Sequence, residues 1–120
     1  MQNDDVTVYT TLLMRRPKYI IFDYNKIDKL LHNRLRLALL SSVAYSEEID
    51  FSTLKNTVKA TDGNLGRQIQ ILEESGYLTT RIRHSEKRPQ KMVTLTPKGR
   101  SALIRYKKHI MTLLQFQDSM

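Results

Sequence analysis

The chain has 120 residues, a formal net charge of +8 at neutral pH and no cysteine. This length suits one domain with a single core, and the absence of cysteine excludes a disulfide framework, a thiol redox site and a zinc finger. The basic excess favours a polyanionic partner, either nucleic acid or an acidic membrane surface, but it is also compatible with plain solubility.

The first 24 residues are predicted to form an N-terminal extension. They begin with an acidic stretch that lacks the apolar core of a signal peptide, and no run in the chain approaches the roughly 18 apolar residues of a membrane-spanning helix. We therefore expect a cytoplasmic, soluble protein with no membrane partner. The extension fits neither helix nor strand periodicity, and Pro17 interrupts it. Its apolar side chains are too numerous for a free tail, so it should pack on its own domain or on a partner subunit. These side chains are Tyr9, Leu12, Leu13, Ile20, Ile21, Phe22 and Tyr24.

Two helices are predicted next. Apolar residues at four-residue steps over residues 27–45 predict the first helix, and Asn33 can cap a second helical piece within it. Asp50 is a suitable N-cap for the second helix. The buried stripes are Ile27, Leu31, Leu35, Leu39 and Val43 in the first helix and Phe51, Leu54 and Val58 in the second.

The third helix can begin with Thr61 or Asp62 as its cap, and Gly76 stands where a left-handed C-terminal cap favours glycine. Two glycines in its first turns are unusual, because glycine costs a helix interior about 1 kcal/mol relative to alanine. We expect Gly63 to let the backbone approach a ligand and Gly66 to pack closely against the preceding helix. The buried stripe of this helix is Leu65, Ile69 and Leu72.

The hydrophobic period changes from 3.6 to 2 after the third helix, which predicts a β-hairpin. Its strands lie within residues 77–83 and 91–96, and the polar residues 84–90 form its loop. Thr96 can cap a last helix with Pro97 as its first residue. The first strand has Leu78, Thr80 and Ile82 on one side, and the second has Val93 and Leu95 inward. The apolar stripe of the last helix is Leu103, Tyr106, Ile110, Leu113 and Leu114.

The order helix, helix, helix, hairpin, helix predicts a mainly α (α+β) winged helix-turn-helix with a three-helix core, a β-hairpin wing and a long C-terminal helix. We assign residues 1–24 to the extension, 25–96 to the winged-helix domain and 97–120 to the C-terminal helix.

Three blocks of the chain, residues 30–43, 49–78 and 91–103, resemble the small winged-helix transcriptional regulators related to the MarR group. The resemblance covers roughly residues 26–105, and nothing is carried over to residues 1–24. It implies a homodimer that binds duplex DNA and regulates transcription. The matching positions are Arg36, Leu37, Leu39 and Leu40 for "R-L-x-I-L", Phe51 and Leu54 for "F-x-x-L", Thr61 to Tyr77 for the "T-D-G-N-L" block with Ile69 in place of one leucine, and Leu95, Thr96 and Gly99 for "L-T-x-x-G".

The third helix has a polar face opposite its buried stripe, on a wheel of about 100° per residue. Arginine can bond guanine bidentately, asparagine and glutamine can bond adenine, and free N–H groups at a helix start favour phosphate. We therefore expect this face to enter the major groove, although an ordinary solvated face would look similar. The predicted DNA-contacting residues are Thr61, Asp62, Gly63, Asn64, Arg67, Gln68 and Gln70.

The hairpin carries five basic side chains against one acidic, Glu86, between residues 81 and 91, a net charge of +4. Such a wing can lie along phosphates or place an arginine in a minor groove, and the alternative is a solvated turn that avoids edge pairing. The predicted contacts are Arg81, Arg83, Lys87, Arg88 and Lys91, of which Arg83, Lys87 and Arg88 are the strongest candidates.

The last helix has more apolar length than a small winged core can cover. We expect its far end to form a homodimer through Leu103, Tyr106, Ile110, Leu113 and Leu114, and the alternative is that the two ends of the chain pack on each other within one molecule. A dimer would set two recognition helices about one DNA turn apart on a palindromic site.

Other chemistry is sparse in this sequence. His32, His84 and His109 lack metal-ligand spacing, and the chain has no phosphate-binding loop, dinucleotide fingerprint or serine elbow. We expect neither an enzyme nor a metal or cofactor. The alternatives to a DNA-binding regulator are a winged helix used for protein interaction and an RNA-binding module. A ligand-responsive regulator would have its pocket between the extension, the last helix and the core, but the sequence specifies neither the effector nor the operator nor the sign of regulation.

Overall fold

The computed structural model describes residues 18–118, so the predictions for Tyr9, Leu12 and Leu13 lie outside the described part. A 3-10 turn at Tyr24–Lys26 precedes four helices and three strands. In chain order these are α1 (Arg34–Ser46), β1 (Glu48–Asp50), α2 (Phe51–Val58), α3 (Asp62–Glu74), β2 (Leu78–Arg83), β3 (Gln90–Leu95) and α4 (Pro97–Leu113). This is the predicted winged helix, with three helices, a hairpin and a long last helix.

Helix α1 starts at Arg34, and the prediction of a helix from residue 27 is wrong. Asn33 is extended, and its side-chain oxygen accepts the Arg36 N–H at 3.0 Å, so it caps the helix as expected. Upstream, the Asp28 carboxylate accepts the N–H groups of Leu30 and Leu31 and folds that stretch into a turn. Local side-chain bonds of this kind compete with helical ones.

The buried face of α1 is wider than a single stripe. Leu39, Leu40 and Val43 are fully buried, whereas Leu35, which was predicted to be buried, is only half-buried. The reason is that α1 is central: it packs against α2, α3, α4 and the sheet.

Helices α2 and α3 have the predicted caps. The Asp50 carboxylate accepts from the Thr53 N–H at 3.0 Å and from the Thr53 hydroxyl at 2.6 Å, and the hydroxyl bond is the largest cause that holds the pKa of Asp50 below its usual value. The Thr61 hydroxyl accepts the Asn64 N–H at 3.3 Å. Gly76 follows α3 with a φ of +80°, and the Tyr77 N–H returns to the Leu72 carbonyl, which ends the helix as a left-handed cap should.

The sheet has one more strand than the sequence predicted. The short strand β1 pairs antiparallel with β3, giving the order β1-β3-β2 with Ile49 opposite Val93. Arg83 pairs with Gln90, so the loop of the wing is residues 84–89, one residue shorter than predicted. Ile82 is 53% exposed although it shares a side of the strand with the buried Leu78, because the hairpin extends past the helices and every residue from 81 to 89 is exposed.

The core joins all of these elements. The side chains of Leu65, Ile69 and Leu72 from α3 are fully buried, as the periodicity predicted. Thr96 caps α4 by accepting the Gly99 N–H at 2.9 Å, and α4 ends at Leu113. The core consists of Leu31, Leu39, Leu40, Val43, Ile49, Leu54, Leu65, Ile69, Leu72, Tyr77, Leu78, Val93, Ala102 and Tyr106.

Candidate nucleic-acid interface

The outward face of α3 is polar and largely open to solvent. The face carries one cation, Arg67, whose guanidinium has no bonding partner among residues 18–118. Because the buried stripe fixes the rotation of the helix, these side chains point away from the core. The exposed members of the predicted set are Thr61, Asp62, Gly63, Asn64, Arg67 and Gln70.

Asp62 stands apart from its neighbours because it is acidic. Its carboxylate lies 2.9 Å from the Lys55 ammonium group of α2, and the pair bridges the turn between the two helices. A carboxylate in the first turn also complements the partial positive charge of a helix start. These local interactions give Asp62 a structural role, and its negative charge opposes a phosphate contact.

Gln68 is half-buried and held by other side chains. The Arg36 Nη1 donates to Gln68 Oε1 at 2.7 Å, and Gln68 Nε2 donates to Asn64 Oδ1 at 3.2 Å. Gln68 was predicted to contact DNA, and Arg36 was given no role in the site. The link between Arg36 and Gln68 arises where α1 packs against α3, and a separation of 32 positions along the chain leaves no sequence pattern that would reveal it.

The two glycines inside α3 both face open space. A Cβ at Gly63 or Gly66 would meet no atom within 4 Å, so the predicted close packing of Gly66 against the preceding helix is wrong. Gly66 instead borders a cleft of about 470 Å³ between the start of α2, α3 and the wing. The other residues of this cleft are Asp50, Phe51, Ser52, Arg88, Pro89, Gln90 and Lys91.

The predicted basic side chains of the wing fall into two groups. Arg81 forms a two-pronged ion pair with Glu48 of β1, with both N–O distances at 3.1 Å, and this bond is the largest cause that lowers the pKa of Glu48. Arg83 donates to the Gln90 side chain across the hairpin. Within the described part of the chain, the charged groups of the remaining three have no bonding partner. These are Lys87, Arg88 and Lys91.

The predicted dimer residues of α4 differ in how far they are buried. Tyr106 is 8% exposed, and its hydroxyl lies 2.9 Å from His32 Nδ1. Tyr106 therefore packs in the core of its own chain, and it also borders the groove described below, so its role as a subunit contact stays a prediction. Leu103 and Ile110 are half-buried against the core and border an apolar groove of about 430 Å³ between α1 and α4. Leu113 and Leu114 are exposed.

The described end of the N-terminal extension lies beside the same helix. The ring of Phe22 meets the ring of His109 edge-on, with centroids 5.9 Å apart. Its neighbour Ile21 is 98% exposed. Exposed apolar side chains occur in two stretches of the sequence, residues 19–24 and residues 104–116. They are Tyr19, Ile20, Ile21 and Tyr24, and Ile104, Met111, Leu113, Leu114 and Phe116.

Between residues 18 and 118, no group of three or more histidine, aspartate or glutamate side chains is placed to hold a metal ion. Over the same range, the helices are too short or too polar to cross a bilayer.

Comparison with known proteins identifies the fold as a winged helix. A family model for the winged helix DNA-binding domain matches residues 35–114. An uncharacterized protein of Methanocaldococcus jannaschii is 30% identical over 91 residues, which cover 76% of this chain and 96% of that protein. The structure of a transcriptional regulator homologue from Pyrococcus horikoshii OT3 matches with a TM-score of 0.73 at 23% identity, over 79% of this chain and 95% of the other. A MarR-like transcriptional regulator from Thermotoga maritima matches with a TM-score of 0.57 at 19% identity, over 96% and 79% of the two chains.

Proposed function

The chain belongs to the winged helix DNA-binding domain family, and from this premise we propose that it is a homodimeric, sequence-specific regulator of transcription. The family and the MarR-like fold support DNA-binding regulation and a non-enzymatic role. The observation that carries the proposal is that α3 and the wing meet at one cleft, which Gly66 of α3 borders together with two unpaired wing cations, Arg88 and Lys91. We assign DNA binding to residues 25–96 and subunit contact mainly to residues 97–120.

Helix α3 is proposed to read bases in the major groove. Arg67 and Gln70 are exposed on its outward face, and Arg67 has no partner among residues 18–118. An unpaired guanidinium suits the two acceptors of guanine, and a glutamine amide suits adenine. Gly63 keeps the first turn free of a side chain, which allows the backbone N–H groups to approach a phosphate.

The wing is proposed to bind the DNA backbone through Lys87, Arg88 and Lys91. These side chains are exposed, and no carboxylate in the described part of the chain pairs with them. Arg81 is a weaker candidate than it was from sequence alone, because a phosphate would have to compete with Glu48 for its guanidinium. Phosphate contacts of this kind release counterions, so binding should weaken steeply as salt rises.

The proposal is tested by selection of duplexes from a random library, followed by titration of the selected duplex, random duplex and single-stranded RNA across a salt series. A regulator should prefer its selected duplex to random duplex by at least about 10³-fold. Equal binding of duplex and RNA would identify an RNA-binding module instead. Absence of binding to any nucleic acid would favour a protein-interaction domain.

Single variants separate the two surfaces. We expect Arg67→Ala to remove base preference at one or two positions and cost about 1–3 kcal/mol on the selected duplex. Lys87→Ala and Arg88→Ala should weaken binding to all duplexes alike. Each should lower the slope of log affinity against log salt concentration by about 1 in magnitude. Arg81→Ala is the matched wing variant, and its slope should change less because the guanidinium is already paired. Unchanged base preference in Arg67→Ala would show that this face of α3 does not read the bases.

A further inference from the structure

Three polar side chains form a relay of hydrogen bonds from the start of α1 to the proposed recognition face. They are Arg36, Gln68 and Asn64. Asn33 caps the N–H of Arg36, and the Arg36 Nε donates to the Leu30 carbonyl at 2.6 Å. The same guanidinium donates through Nη1 to Gln68, and Gln68 donates to Asn64. Arg36 and Gln68 are half-buried, whereas Asn64 is exposed. The chain of bonds therefore begins at a fixed backbone carbonyl and ends at a side chain that faces solvent.

The direction of every bond in this relay follows from Arg36. A guanidinium can only donate hydrogen bonds, whereas an amide side chain has one accepting and one donating end. Gln68 must turn its oxygen toward Arg36, which leaves its NH₂ group to face Asn64. Asn64 must then turn its oxygen back toward Gln68. The side-chain NH₂ of Asn64 is left unbonded, because no residue between 18 and 118 accepts a hydrogen bond from it.

We propose that Arg36 is a positioning residue for base recognition, because it fixes Asn64 as a donor of hydrogen bonds to DNA. The inference rests on the proposed function, in which α3 enters the major groove. Guanine presents two adjacent acceptors there, N7 and O6, whereas cytosine presents a donor. With its oxygen bonded to Gln68, Asn64 offers DNA only a donor, and a donor fits the acceptors of guanine. An unconstrained asparagine would instead favour adenine, which pairs with both ends of its amide.

The test uses a substitution that reverses the relay. In Gln68→Glu, the carboxylate accepts from Arg36 and can also accept from Asn64, but it cannot donate. Asn64 would turn its NH₂ toward Glu and present its oxygen to DNA. We expect one base position in the selected duplex to change from guanine to a base that offers a donor, with relative preference shifting by roughly 5- to 150-fold. The added negative charge weakens all duplexes alike, so relative preference is the quantity to compare.

Two variants serve as controls. Gln68→Met keeps the length of the side chain but removes both bonds, so it should flatten the preference at that same position without creating a new one. Arg36→Met should do the same although it lies outside the helix that touches DNA. Thermal unfolding of each variant separates loss of the fold from loss of the relay.

A second measurement needs no DNA. In the wild-type chain, the side-chain NH₂ of Gln68 should exchange with solvent more slowly than that of Asn64, and in Gln68→Glu the NH₂ of Asn64 should become the protected one. A selected consensus that is identical in wild type, Gln68→Glu and Gln68→Met would overturn this inference and leave the proposed function standing. Failure of the wild-type chain to select any consensus would overturn both.

Discussion

At the scale of single residues, Gly99 shows why the "L-T-x-x-G" block has its spacing. The first turn of α4 lies directly against the end of α3, where the Thr96 N–H donates to the Tyr77 carbonyl and the Thr96 hydroxyl donates to the Gly76 carbonyl. A Cβ at Gly99 would come far inside van der Waals contact with that same Tyr77 carbonyl oxygen. The missing side chain lets α4 start where the cap of α3 ends.

Replacement of Gly99 by alanine should therefore be strongly destabilising. The obstacle is backbone rather than the tip of a flexible side chain, so relief requires α4 to move, and we expect a loss of about 3 kcal/mol or more in the free energy of unfolding. Urea unfolding measures it. The matched control is Gly66→Ala, where the added methyl group enters open space. Equal urea midpoints for Gly99→Ala and Gly66→Ala would contradict a clash between α4 and the Tyr77 carbonyl.

Tyr77 gives the molecule a specific alkaline sensitivity. Burial, together with the 2.6 Å bond from its hydroxyl to Asp28, raises the pKa of Tyr77 to about 12. The unfolded value is about 10, so the stabilisation from this group is complete below about pH 10 and is lost as the pH rises through about 12. We expect the wild-type chain to lose more unfolding free energy across that range than Tyr77→Phe does. The measurement is urea unfolding of both chains at several pH values, and parallel losses would contradict the assignment.

At the scale of elements, two glycines near the start of α3 lower the stability of the helix and leave its surface there without side chains. Gly63 and Gly66 have ordinary helical backbones and open space where a methyl group would go. Neither fold nor packing requires glycine at these positions. We propose that Gly63 allows a close approach of the backbone to DNA, and Gly66 borders the cleft beside the wing.

Replacement of Gly63 by alanine should have opposite effects on stability and on DNA binding. Gly63→Ala should raise the free energy of unfolding by about 0.5–1 kcal/mol, because alanine is the better helix former and reduces the freedom of the unfolded chain. The same variant should bind the selected duplex more weakly, because its methyl group stands between the backbone and a phosphate. Urea unfolding and duplex titration on one preparation test both. A stabilised variant with unchanged affinity would show that the first turn of α3 does not contact DNA.

The sequence predicts those elements whose causes are local. Each helix is capped by a side chain that accepts an N–H three residues further on, so the local sequence alone predicts where the helix starts. These caps are Asn33, Asp50, Thr61 and Thr96. Strand β1 was missed because it has only three residues and its partner strand lies more than 40 residues away. The relay through Arg36 was missed for the same reason: it depends on how two helices cross rather than on spacing within either.

At the scale of the whole molecule, several exposed apolar side chains lie at and just beyond the end of α4, among them Met111, Leu113, Leu114 and Phe116. The described end of the extension reaches that helix through the contact of Phe22 with His109. Exposed apolar surface at one place is typical of an interaction site in soluble proteins. A twofold dimer uses the same patch on both subunits, so one substitution acts twice. It would also place two copies of α3 to read two half-sites, which ties subunit contact to DNA affinity.

The last prediction tests that link with two matched substitutions. Leu114 at the end of α4 is 58% exposed and Ile82 in the wing is 53% exposed, so lysine at either position should leave the fold of one chain intact. We expect Leu114→Lys to weaken self-association by at least about 30-fold, because two leucine contacts are lost at about 1 kcal/mol each. Ile82→Lys should leave association unchanged. Sedimentation should show the wild-type chain at about twice the 14.1 kDa of one chain, and Leu114→Lys should also bind a two-half-site duplex no better than a single half-site. A wild-type monomer at micromolar concentration would contradict the dimer, and a Leu114→Lys dimer would place the interface elsewhere.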